Sequence, residues 1–318
     1  MPRNVDFVVT CRAQTHGLTN QLMVDTALLK ASHHLKQAGF TVAIVPPQVG
    51  CRKSMDHAVL NYKVYTMADA STLFDVPSLT EAMKEVSSTI YTQEQRDEAV
   101  AAFARYVRRP EGQEEDALVE VEGAGYPNDG AMFVEDMRRK RLSTPKHLAV
   151  PISCRILTFS AFDYTWGDRL LGCLRKDLVQ MAESIAEDLG VKDALAVHLR
   201  LEKDMSHMTD HENVHQTLKR IGEKAKIHEE AARLYLCGST DRKSRAMLKD
   251  AFGLKIVTKE NSAHFKRNDY VDLDGLVDML VCNQAQAFVG CQLSTFSILI
   301  SRALAQRHRN AILYSHDA

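Results

Sequence analysis

Ala287-Phe288-Val289-Gly290-Cys291-Gln292-Leu293-Ser294-Thr295-Phe296-Ser297 changes character twice within one short stretch. A strand-forming apolar run ends at a glycine, and a polar turn then opens onto a second apolar run that continues to Gln306. That order predicts strand, turn and helix, with Ser294 placed to cap the helix. Upstream, the same alternation predicts strands at 194–199, 233–237, 255–257 and 287–289 and helices at 212–226, 243–251, 273–286 and 295–306. A last strand follows at 311–314. Strands alternating with helices build a parallel sheet covered on both faces. Before it, Leu170, Leu171, Leu174, Leu178, Met181, Ile185 and Leu189 recur at helical spacing, which predicts one amphipathic helix ended by Gly190.

The N-terminal half opens with a second such unit. Asp6-Phe7-Val8-Val9-Thr10 reads as a buried strand, a turn follows around Gly17, and an apolar-periodic helix runs from Asn20 to Ala38. Phe40-Thr41-Val42-Ala43-Ile44-Val45 is a second strand, stopped by Pro46-Pro47. From about Thr92 to Lys146 charge dominates and strand pattern is scarce, which predicts helices and loops inserted late in the first domain. A chain of 318 residues exceeds what one core usually covers. The expected fold class is α/β, with two doubly wound Rossmann-like domains. The first spans 1–165, with its insertion near 90–150, and the second spans 166–318. Ligands in such sheets sit beyond the carboxyl ends of the strands, which predicts a cleft there.

Composition narrows the function. With 40 basic and 41 acidic residues the chain has a formal charge of -1, so no broad field gathers nucleic acid or an anionic membrane, and any anion must be captured locally. No apolar stretch reaches the roughly 18 residues of a membrane span, and no secretory signal pattern or Asn-x-Ser/Thr sequon occurs, which predicts a cytoplasmic protein. Seven widely spaced cysteines without a CxxC pair predict neither a disulfide framework nor a zinc ribbon.

Three clusters carry candidate chemistry. In Val197-His198-Leu199-Arg200-Leu201-Glu202-Lys203-Asp204-Met205 a buried strand ends in alternating charge. Arg200 presents a planar fork of donors suited to phosphate, and a fixed guanidinium can stabilise the charge on a departing nucleoside diphosphate without a metal. A structural salt-bridge cluster is the alternative. At the second cluster, Ser294 and Thr295 stand where a helix N-terminus turns N–H groups toward a diphosphate, and a simple capped helix is the alternative. The third is Thr15-His16-Gly17-Leu18-Thr19-Asn20-Gln21 at the first strand-to-helix turn, where Asn20 is either a ligand contact or a cap.

Taken together, Gly17-x-x-Asn20-Gln21, His198-x-Arg200-x-Glu202-Lys203-Asp204-Met205 and Val277-Asp278 with Phe288-Val289-Gly290-x-x-x-Ser294-Thr295-Phe296-Ser297 resemble the protein O-fucosyltransferase superfamily, most closely its plant and protist branch. The resemblance covers about residues 5 to 50 and 170 to 302. It implies an inverting, metal-independent glycosyltransferase of the GT-B type that uses GDP-fucose as donor, needs no cofactor, and fucosylates a hydroxyl of a glycan or protein acceptor. It also implies that Arg200 binds the β-phosphate, that His198 and Asp278 lie by the guanine, that Ser294, Thr295 and Phe296 hold the diphosphate and nucleoside, and that Asn20 contacts the donor. The chain has His16-Gly17 where relatives carry Gly-Gly or Gly-Arg, which leaves His16, Glu202 and Asp204 as candidate bases. Transfer of rhamnose from UDP-rhamnose, or an inactive nucleotide-sugar-binding module, remain the alternatives.

Other signals have plainer readings. Asp272-Leu273-Asp274 is expected to cap a helix rather than hold manganese. His207, His211 and His215 are expected on a solvated helix face, and Arg138-Arg139-Lys140-Arg141 on another. Trp166, the single tryptophan, is expected to pack between domains.

Overall fold

A computed structural model describes residues 5–11, 17–53, 65–122, 130–155, 164–201, 211–225, 231–238 and 240–314. The chain divides into two compact units, one of Met1–Gly50 with Met67–Arg175 and one of Cys51–Thr66 with Lys176–Ala318. The first unit therefore runs past residue 165 to Arg175, and the second takes a segment from the N-terminal half. Between the main elements, strands β3 (Val49–Arg52) and β4 (Tyr65–Ala68) form a two-stranded ribbon.

The first unit is built from β1 (Phe7–Cys11), α1 (Leu18–Gln37), β2 (Val42–Ile44), α2 (Val76–Val86), β5 (Thr89–Ile90), α3 (Gln93–Tyr106), β6 (Val119–Glu122), α4 (Gly130–Leu142), β7 (Val150–Arg155) and α5 (Tyr164–Leu171). Its sheet order is β5-β2-β1-β7-β6, and every pairing is parallel. Phe7, Val8 and Val9 are buried, as a central parallel strand requires, because helices cover both of its faces.

The region around 90–150 is not an insertion of helices and loops. It supplies the edge strand β6 and leads into β7, which lies directly beside β1. Pro151 conceals β7 in the sequence, since proline is rarely found inside a sheet. The register explains its place. Val150 donates to Asp6 O on the β1 side, while β6 begins only opposite Ile152, so no acceptor faces position 151 where the proline lacks its N–H.

The single helix expected over 170–189 is instead two, α5 and α6 (Lys176–Asp188). Residues between them pair with an earlier segment. Asp75 N donates to Cys173 O, Arg175 N donates to Leu73 O, and Phe74 and Leu174 form an antiparallel bridge. Backbone groups committed to that bridge cannot also serve helical bonds, so the periodic leucines cross from one unit to the next.

The second unit contains α6, β8 (Ala194–Leu199), α7 (His211–Ala225), β9 (Arg233–Gly238), α8 (Arg242–Phe252), β10 (Ile256–Val257), α9 (Val271–Cys282), β11 (Ala287–Cys291), α10 (Thr295–Gln306) and β12 (Asn310–Tyr314). The order β10-β9-β8-β11-β12, all parallel, is that of a doubly wound sheet, and its direction reverses between β8 and β11. Leu195, Val197 and Leu199 alternate along β8 into one core with Val214, Leu218 and Leu248. Ala194, Ala196 and His198 therefore face the other side of the sheet. Among the described residues no helix is long and apolar enough to cross a membrane, and none of the seven cysteines is joined in a disulfide.

Candidate functional site

β8 carries His198 to the carboxyl end of the second sheet, and Arg200 follows just beyond the strand, with its cation acting on the imidazole. Across the reversal point, β11 delivers the turn Gln292–Leu293 and the N-terminus of α10. The two ends are joined by side chains. His198 Nδ1 lies 2.7 Å from Ser297 Oγ, and the His198 ring tilts at 39° over Phe296 with centroids 4.5 Å apart. Ser297 Oγ also accepts from Cys291 N at 3.0 Å. Gly290 makes this approach possible, because a Cβ there would stand 2.6 Å from Ser297 Oγ and 2.5 Å from a Phe288 ring carbon.

β12 closes the cluster from the other side. Tyr314, fully buried, donates its hydroxyl to His198 O at 3.3 Å and accepts from Arg200 N at 3.2 Å, so it holds the backbone on both sides of Leu199. Burial, reinforced by the neighbouring Arg200 cation, pushes His198 down to about 3, so its imidazole is neutral throughout the physiological range. A neutral ring offers one donor and one acceptor, and Ser297 occupies Nδ1.

Ser294 occupies the N-cap position of α10, but its hydroxyl caps nothing. The expected capping bond is absent because Ser294 Oγ is buried and has no hydrogen-bond partner among the described residues. The first turn of a helix leaves N–H groups without intrahelical acceptors. A buried hydroxyl beside that turn, with a guanidinium near the end of β8, suits an anionic ligand whose oxygens replace the missing bonds. Thr295 and Phe296 occupy the first two positions of the same helix.

Asp278, in α9, bonds Tyr235, which pairs in register with Ala196, two residues before His198 on β8. Its Oδ1 accepts from Tyr235 OH at 2.6 Å, and its Oδ2 pairs with Lys259. Burial raises the carboxyl pKa, an effect that Lys259 and Tyr235 partly offset. Both oxygens already serve the protein. Cys237, the register partner of His198 on β9, lies with its sulfur 3.6 Å from that of Cys282. Asp272 and Asp274, expected as caps, are not caps, since Tyr270 holds the N-cap position of α9. Asp272 instead grips Arg52 at 2.6 Å, and Asp274 accepts from Asn268 N and Nδ2.

Asn20 belongs to the first unit and is the third residue of α1, whose N-cap is Gly17, so it does not cap the helix. Its Oδ1 is buried without a hydrogen-bond partner among the described residues. The adjacent Gln21 has a structural task, exchanging two bonds of 2.8 Å with the backbone of Gly50. His16, Glu202 and Asp204 lie outside the described residues, as do His207 and the side chains of Trp166 and His211. His215 bonds Asp250 at 2.8 Å. In the basic run, Arg141 turns inward to Asp6 at 2.7 Å and to the carbonyls of Pro145 and Leu148, while Arg138 pairs with Glu135.

Known structures share this architecture. The apo form of POFUT1 aligns with a TM-score of 0.56 and 14% identity, over 99% of this chain and 98% of that one. POFUT1 in complex with GDP-fucose gives 0.52 at 14% identity, over 97% and 98%. The fucosyltransferase NodZ from Bradyrhizobium gives 0.50 at 14% identity, over 94% and 93%. The chain has the fold of these fucosyltransferases. No family profile matches the sequence, and no curated protein matches it. At such identity the likeness establishes a GT-B-like pair of parallel α/β units and leaves chemistry to the residues themselves.

Sequence reasoning passed over Tyr314, Tyr235 and Lys259 and gave Ser297 no role. Tyr314 had one signal, a tyrosine closing the last strand of a doubly wound sheet. Lys259 had none, because its partner lies nineteen residues away in another element.

Proposed function

We propose that the chain is an inverting, metal-independent glycosyltransferase that moves L-fucose from GDP-fucose to a hydroxyl of a glycan or protein acceptor. The observation that carries this reading is the joined pair of ends at the reversal point of the second sheet. There a neutral His198, with the Arg200 cation beside it, meets Ser297 in the first turn of α10, whose buried Ser294 hydroxyl has no partner among the described residues. The shared fold with POFUT1, which has been solved with GDP-fucose, supports it.

In this reading the acceptor oxygen bonds to the anomeric carbon as the bond from that carbon to the β-phosphate oxygen breaks. Arg200 and the first turn of α10 take up the charge that collects on the departing diphosphate. A guanidinium and helix N–H groups supply that stabilisation without a metal ion. The acceptor proton passes to a base, for which His16, Glu202 and Asp204 are the candidates, and Asn20, whose buried Oδ1 has no partner among the described residues, is a further candidate contact of the donor.

One observation favours a second reading. Asp278 has both oxygens engaged by Tyr235 and Lys259, so recognition of guanine by this carboxylate must use its remaining lone pairs or displace the lysine. A donor such as UDP-rhamnose makes no such demand. Calorimetric titration with GDP, GDP-fucose, UDP and UDP-rhamnose, with EDTA throughout, decides between them. Binding of the guanine nucleotides with UDP silent is the expected result. A preference for UDP moves the assignment to rhamnosyl transfer, binding without turnover marks an inactive module, and no binding at all rejects the donor site.

A further inference from the structure

His198 meets the ligand end of the sheet with one nitrogen committed and one not. Ser297 makes two hydrogen bonds, accepting from Cys291 N at 3.0 Å and sharing the 2.7 Å contact with His198 Nδ1. A hydroxyl carries one hydrogen, and the ring nitrogen is the acceptor within its reach among the described residues. The hydroxyl hydrogen therefore goes to Nδ1, and in a neutral imidazole the ring hydrogen then resides on Nε2. On that edge stands Gly238, the last residue of β9. A Cβ on Gly238 would stand 2.4 Å from Leu199 O as well as 3.0 Å from Cδ2 and 3.2 Å from Nε2, and Gly238 has φ of +83°, which L side chains rarely adopt, so glycine both lets β9 close on β8 and leaves the ring edge uncovered. Nε2 itself makes no hydrogen bond among the described residues.

We propose that Ser297 is a positioning residue that fixes His198 as a hydrogen-bond donor at Nε2, and that Gly238 keeps the space beside this nitrogen open for an acceptor atom of the bound nucleotide. The chain of contacts runs from Cys291 N–H to Ser297 to His198, so β11, α10 and β8 agree on one tautomer. A donor so fixed selects a carbonyl or ring nitrogen on the nucleobase and rejects an amino group at the same place, because two donors would face each other without water. The choice of nucleotide as ligand rests on the function proposed above, whereas the tautomer does not.

Two measurements separate these parts. Two-bond proton–nitrogen correlation spectra of the full chain, labelled with 15N-histidine and assigned by loss of the signal in His198→Gln, report the tautomer directly. The expected result is an Nε2–H ring, unchanged through the neutral range. In Ser297→Ala, where Nδ1 loses its donor, the spectrum shifts to mixed tautomers and GDP affinity falls roughly ten-fold, the worth of about one hydrogen bond to a buried group. Ser297→Thr keeps the hydroxyl and restores the single tautomer. An Nδ1–H ring in the wild-type protein overturns the proposal whatever the variants do. So does GDP binding by Ser297→Ala that matches wild type. Failure of wild-type protein to bind GDP, with the Nε2–H tautomer observed, rejects the nucleotide assignment and leaves the positioning role of Ser297 standing.

Discussion

The ends of β1 and β8 occupy equivalent places in two sheets of the same kind, yet they resolve buried polarity in opposite ways. At β8, His198 is buried beside Ser297 and the Tyr314 hydroxyl, and the ring sheds its charge. At β1, the side chain of Asp25 in α1 is buried with a thiol as its hydrogen-bond partner among the described residues, Cys11 Sγ at 3.4 Å, and Cys154 stands opposite Cys11 on β7. Burial pushes Asp25 up to about 7, and it pushes the two thiols further from ionisation as well. A shared topology thus fixes where polar groups gather without fixing how they are satisfied. The β8 end gathers hydroxyls and a cation suited to an anion, and the β1 end holds a carboxyl that burial biases toward its protonated form.

The contrast breaks most sharply at Arg200. Arg200→Ala should lower turnover by roughly 10²- to 10³-fold, the scale set by losing one transition-state charge donor, with the unfolding transition unchanged. Arg200→Lys should recover little, because an ammonium lacks the planar fork. An alanine variant that retains most of its turnover removes Arg200 from the chemistry.

At the β1 end the effect is on stability, and its sign follows from the direction of the shift. Asp25 has a folded value of about 7 against an ordinary 3.8, so between these values the folded state holds a proton that the unfolded state releases. Its contribution falls as pH rises from about 4 to about 7. His198 works the other way, since its folded value of about 3 lies below 6.5 and stability is lost as pH falls through that range. Asp25→Asn should therefore be more stable than wild type above pH 7 by up to roughly 4 kcal/mol, with no advantage near pH 4. Urea unfolding across that range tests it, and a variant that is weaker at every pH refutes the account of Asp25.

Two smaller changes sharpen the β8 side. Gly290→Ala should cost about 1 to 3 kcal/mol in thermal unfolding, because its new methyl collides with Phe288 and Ser297. If Tm stays constant, the close approach at Gly290 is unimportant. Tyr314→Phe removes a hydroxyl that bridges His198 O and Arg200 N while keeping the buried ring, so the expected cost is about 1 kcal/mol, with a modest loss of turnover. An unchanged kcat would show that the bridge does not position Arg200.

Much of this molecule was legible before any coordinates. β8 and α10 were read from the sequence at the boundaries they have in the structure, because a fully buried parallel strand is a continuous apolar run and an apolar helix after a glycine turn is equally plain. β7 was not legible, since Pro151 contradicts the local rule and only the late start of β6 excuses it. The break after α5 was hidden for a related reason. The leucine period continues across residues 172–175, and the bridge to residues 73–75 that interrupts it lies about a hundred residues away in sequence.

The candidate site divides along the same line. Residue types and local spacing decided by themselves that His198 and Arg200 share one strand end and that Ser294 to Ser297 open a helix, because periods of two and of 3.6 are properties of the backbone. Only the tertiary structure decided that Ser297 rather than Ser294 makes the polar contact, that Tyr314 braces the strand end, and that Asp278 is held by Tyr235 and Lys259. Hydrogen bonds between elements far apart in sequence depend on packing distances of a few tenths of an ångström, and no local pattern encodes them.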